Sequence, residues 1–101
     1  MIDEIILAGR QTGRTTELIK KAAENHKYIV CCDLRRAHFI ANMARDFGLN
    51  IPFPVTIQEL PIRSRWIDDV YIDDADILLQ YIIGKHISCI TMEKPVSSSE
   101  E

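Results

Sequence analysis

The sequence predicts an α/β fold: a mainly parallel sheet of four or five strands with helices on both faces, in three layers. Three observations predict it. Short apolar runs alternate along the chain with stretches whose apolar residues recur at helical spacing. The run KYIVCC is apolar almost throughout, as expected of a strand buried on both faces of a parallel sheet. A chain of 101 residues, 47% hydrophobic, suits one compact domain with one core.

Residues 2–7, IDEIIL, read as a short apolar strand. Residues 15–25 repeat apolar side chains at Leu18, Ile19, Ala22 and Ala23, one face of a helix. KYIVCC (27–32) is the second strand. Asp33 is suited to cap the next helix, with a buried stripe of Ala37, Ile40, Ala44 and Phe47 and Gly48 to end it. NIPFP is a loop, because two prolines do not belong in a central strand. A brief strand around Val55 follows, then TIQE, where Thr56 and Glu59 have capping-box spacing for one or two helical turns. Pro61 stops them, IRSR reads as an exposed turn, and Trp66 as a lid or edge residue. VYI (70–72) is the next strand and DDADILLQYII a helix ending at Gly84. ISCITM (87–92) is expected to be the last strand. The domain closes near residue 94, and the tail 95–101 has too little apolar surface to order itself.

Composition excludes several classes. No apolar run approaches membrane-spanning length, and Asp3 and Glu4 come too early for a signal peptide, so a cytoplasmic protein is expected. Cys31, Cys32 and Cys89 lack zinc spacing and form no disulfide framework. A net charge of −3 provides no global field for nucleic acid. Arg35, Arg36 and His38 are the one dense basic cluster, read as a solvated helix start or a weak contact for single-stranded nucleic acid.

Parallel sheets bind ligands at the carboxyl ends of their strands. Residues 8–15, 33–36, 73–76 and 91–92 all fall at such ends. The segment AGRQTGRTT (8–16) stands between a strand and a helix and carries a phosphate-loop pattern: Ala8, four residues, then Gly13, Arg14 and Thr15. Gly9 and Gly13 allow the backbone N–H groups from Arg10, Gln11 and Thr12 onward to turn inward as an anion nest. The following helix adds its positive N-terminus, and Thr15 offers a hydroxyl to magnesium. Arg14 stands where lysine is usual; it keeps the charge but not the compact ammonium, a change that binding tolerates better than catalysis. The segment VYIDDAD is an apolar strand ending in two carboxylates. Asp73 is the candidate metal holder, through water, and Asp74 the candidate base toward an attacking water. The alternative is that one of them caps the next helix.

Together the motifs resemble the P-loop NTPase superfamily, and most of all a miniature of the first RecA-like domain of helicases. AGRQTGRTT resembles the first helicase motif, and Asp73, Asp74, Ala75 and Asp76 occupy the four positions of a DEAD or DEAH box. CCDLRRAHFIANMARDFG is similar in place to the segment that contacts single-stranded nucleic acid, and VTIQEL to the short threonine motif. Thr91 falls where such domains keep a polar sensor for the terminal phosphate. The resemblance implies a P-loop NTPase-like αβα fold with the last strand between the loop strand and the acidic strand. It also implies binding of ATP or another purine triphosphate with magnesium. Ala8, Gly9, Arg10, Gln11, Thr12, Gly13, Arg14, Thr15, Thr16 and Thr91 would contact nucleotide, Thr15 and Asp73 the metal, and Asp74 and Arg14 would carry slow hydrolysis. These residues hold no second RecA-like domain, so an arginine finger is expected in trans, with Arg63 and Arg65 as candidates across a homo-oligomeric contact. The outline is also similar to small bacteriophage-encoded ATP-binding proteins, which would act in the host cytoplasm. The rival function is a degenerate P-loop scaffold that modulates a phage or host replication protein.

Overall fold

The computed structural model of the chain describes residues 2–7, 13–95 and the backbone of 97–100. Ala8, Gly9, Arg10, Gln11 and Thr12, the first half of the expected phosphate loop, lie outside the described residues.

The architecture is mixed α/β. Strand β1 (Glu4–Leu7) precedes helix α1 (Arg14–Asn25), and β2 (Ile29–Cys31) precedes α2 (Leu34–Asp46). Then come β3 (Val55–Thr56), one 3₁₀ turn (Ile57–Glu59), β4 (Tyr71–Ile72), α3 (Ala75–Ile83) and β5 (Ser97–Glu100). No helix is long and apolar enough to cross a membrane among the described residues.

The described strands form two parallel sheets. In the larger, β2 lies between β3 and β4, with Val30 opposite Val55 on one side and Ile72 on the other. In the smaller, β1 pairs with β5, Glu4 opposite Ser97. Every residue of β2 is buried, as its continuous apolar character requires.

Local chemistry explains the helix ends. Asp33 caps α2 by accepting from the Arg36 N–H at 2.8 Å. Gly48, at φ +70°, follows that helix in the left-handed conformation, and its N–H reaches the Arg45 carbonyl at 2.9 Å. Gly84 ends α3 in the same way, at φ +80°. The Glu59 carboxylate reaches back to accept from both the N–H and the hydroxyl of Thr56, at 2.8 and 3.2 Å.

The core lies between α1, α2 and the larger sheet. Ile19 and Ala22 meet Ala37, Ile40 and Ala44 over Ile29 and Cys31. Each of the three fully buried isoleucines contributes about 1.5–3 kcal/mol through its burial. Helix α3 is different. Leu78 is buried, whereas Ile77, Tyr81, Ile82 and Ile83 are about half exposed.

Several expectations differ from this picture, first the sheet. The described strands pair as three and two, where one sheet of four or five was expected with its last strand between the loop strand and the acidic strand. Residues 87–92 form no strand, and Ile90 and Met92 are exposed. An apolar run becomes a strand only where a neighbouring ladder receives it, and β1 pairs instead with 97–100. That second segment lies within the polar stretch 95–101 and pairs through its backbone groups. Phe47, expected in the buried stripe of α2, is half exposed, with the Lys20 ammonium 5.7 Å from its ring centroid.

Candidate functional site

The parallel pairing of β2 and β4 brings their carboxyl ends side by side. Past β4 the ladder continues for one more bond, from the Asp73 N–H to the Val30 carbonyl at 3.0 Å. That bond fixes the Asp73 backbone, and Asp73 is buried, 4% exposed. Asp74 then takes a left-handed conformation, φ +50° and ψ +66°, and turns the chain into α3. Aspartate is one of the few residues that adopt this conformation readily. Asp74 holds the cap position of α3 but makes no side-chain cap bond.

Helix α1 starts beside this turn. Gly13 precedes it at φ +80°, and its carbonyl accepts the Glu17 N–H at 3.0 Å. The first turn of α1 therefore directs Arg14 and Thr15 toward the two aspartates, across about 60 residues of sequence.

Five side chains form the cluster. Thr15 Oγ1 donates to Asp73 Oδ1 at 3.1 Å. Arg14 donates through Nε and Nη2 to Asp74 Oδ1, at 2.9 and 2.8 Å. Arg36, from the first turn of α2, donates through Nε to Asp73 Oδ2 at 2.7 Å. Its Nη2 reaches Thr15 Oγ1 at 2.9 Å and Asp73 Oδ1 at 3.4 Å, and lies 3.6 Å from Asp74 Oδ2. The guanidinium carbon also lies over the Phe39 ring, 4.8 Å from its centroid.

Electrostatically, the two guanidinium groups face two carboxylates. The hydrogen bond to Asp73 raises the pKa of Arg36 further, against the lowering effect of burial. Beneath the cluster, burial pushes the Cys31 thiol up to about 11, and the Asp73 carboxylate adds to the rise. Cys31 is therefore a neutral packing group, as its sequence context suggests.

The structure thus brings together Gly13, Arg14, Thr15, Asp73 and Asp74 from the sequence-based set. It does not bring in Thr16, whose hydroxyl points to the Met43 sulfur at 3.7 Å, on the side of α2. Thr91 lies in an irregular, exposed stretch and ends no strand. Trp66, Arg63 and Arg65 are exposed. Arg35 is exposed and His38 packs edge-on against Phe53, ring centroids 5.2 Å apart, so only Arg36 of the basic cluster enters the site.

Arg36 is the residue that sequence reasoning missed as a site member. Its signal was positional: it stands three residues after the cap of a helix that follows a central strand, at the ligand-binding end of the sheet. Only the adjacency of β2 and β4 turns that position into a contact with Asp73.

Magnesium in sites of this class takes one or two protein oxygens and completes its shell with water and phosphate. Thr15 and Asp73 are donors of that kind, and no group of three or more His, Cys, Asp or Glu side chains could hold a metal among the described residues. As the side chains stand, the pair does not fit a metal, because Arg36 Nη2 already bridges Thr15 Oγ1 and Asp73. Comparison of the chain with protein-family models, curated proteins and solved structures gave no match.

Proposed function

We propose that the chain binds a nucleoside triphosphate, ATP first among them, through a small P-loop-like site at the start of α1, and that hydrolysis by the isolated chain is slow. The observation that carries this reading is the hydrogen bond from Thr15 to Asp73. It joins the end of the AGRQTGRTT segment to the first carboxylate of the DDAD segment, the pairing that phosphate-binding α/β domains use. A helix N-terminus of 12 residues, entered through a left-handed glycine, adds N–H groups and partial positive charge for an anion.

Slow hydrolysis follows from the state of Asp74. Its Oδ1 accepts two bonds from Arg14, so the candidate base and the candidate phosphate cation engage each other. Phosphate arriving at Arg14 would compete with that pair. The same contact favours the second reading, a scaffold whose ion-paired site serves rigidity and whose function is to engage a replication protein.

Thermal denaturation against increasing ATP separates them. Ligand at about a hundred times its Kd should stabilise the fold by about 2.7 kcal/mol, a rise in Tm of about 10–20 °C for a chain of this size. An unmoved midpoint at millimolar ATP would remove the nucleotide reading and leave the scaffold.

A further inference from the structure

We propose that Arg36 is a tethered cation that competes with a divalent metal for the Thr15 hydroxyl and the Asp73 carboxylate, so that metal enters the site only by displacing it. The hydroxyl of Thr15 has one proton, which it gives to Asp73 at 3.1 Å. One of its two lone pairs already accepts from Arg36 Nη2 at 2.9 Å. Both oxygens of Asp73 also face this guanidinium, at 2.7 and 3.4 Å. A metal between Thr15 Oγ1 and Asp73 would need the place the guanidinium holds, and two cations at one place repel.

The guanidinium is held where it is. The backbone N–H of Arg36 is fixed by the Asp33 cap at 2.8 Å, and its guanidinium carbon lies 4.8 Å from the Phe39 ring centroid. Asp73 is 4% exposed and Arg36 29%, so this ion pair is partly shielded from solvent and salt. With Arg36 present, two arginines balance two aspartates. Without it, the described side chains of the cluster carry one negative charge more than positive, beside a hydroxyl, which suits a hard cation.

The test is a titration of the protein alone with Mn2+, the free ion followed by electron paramagnetic resonance, for the native chain, Arg36→Gln and Arg36→Lys. Circular dichroism checks that each is folded. Arg36→Gln should bind Mn2+ at least about tenfold more tightly than the native chain, about 1.4 kcal/mol, while Arg36→Lys stays within about threefold. Adding Asp73→Asn to Arg36→Gln should abolish the gain. Equal affinity in all the chains, or a gain that survives Asp73→Asn, overturns the proposal.

A second measurement uses the native chain and rests on the nucleotide reading. Its ATP affinity should change by less than about threefold between EDTA and magnesium, and a rise of about tenfold with magnesium overturns the proposal even if Arg36→Gln does not fold. The two readings fail separately. A gain in Mn2+ affinity with no ATP binding in any chain supports the role of Arg36 and removes the nucleotide site. ATP binding without that gain does the reverse.

Discussion

At the scale of single residues, the site turns on how two arginines spend their donors. Arg14 directs Nε and Nη2 at one oxygen of Asp74, a planar fork that a lysine could not reproduce. An ammonium at position 14 would make a single point contact and could turn toward a terminal phosphate. In a chain that binds ATP, Arg14→Lys should therefore raise phosphate release by about tenfold, about 1.4 kcal/mol of barrier, with nucleotide affinity little changed. Steady-state phosphate release at saturating Mg–ATP checks this. A variant that binds normally but releases phosphate no faster shows that Arg14 does not limit the site. Gly13 carries a separate lesson. It holds φ +80°, a conformation that any side chain there would strain, and no described residue lies within 4 Å of where its Cβ would stand.

Among the elements, α2 matters most for the site, although its sequence points first to packing. Its stripe of Ala37, Ile40 and Ala44 is buried against α1 and β2, and its first turn holds Arg36 beside Asp73. Asp33 connects the two roles, since its carboxylate accepts the Arg36 N–H. Asp33→Ala should cost about 1 kcal/mol of stability by loss of the cap, read as a lower denaturant midpoint with an unchanged slope. A midpoint equal to that of the native chain would show that the cap contributes nothing. The cap, the stripe and the glycine stops were legible in the sequence because each is a local rule, written within four or five residues. The contact of Arg36 with Asp73 was not, because it depends on which strand lies beside β2. Residues 87–92 were misread for a related reason: ISCITM has the composition of a strand, but composition does not reveal whether an edge receives it.

Over the whole molecule, the packing is uneven and the site sits at its boundary. Helices α1 and α2 and the sheet β3–β2–β4 share the core, while β1 pairs with β5 in a sheet of its own and α3 buries only Leu78 among its described residues. The four side chains Arg14, Thr15, Arg36 and Asp73 link three of the core elements, and Asp74 joins α3 to them. Ligand binding there would act on the junction between the well-packed and the loosely packed parts. On the proposed function, the start of α1 and the turn after β4 form one anion site. A 15N–1H correlation spectrum of the native chain titrated with ATP tests it residue by residue. Shifts should concentrate at Gly13, Arg14, Thr15, Arg36, Asp73 and Asp74, leaving His26 and Trp66 unmoved. Shifts confined to other residues, or none at millimolar ATP, would contradict it.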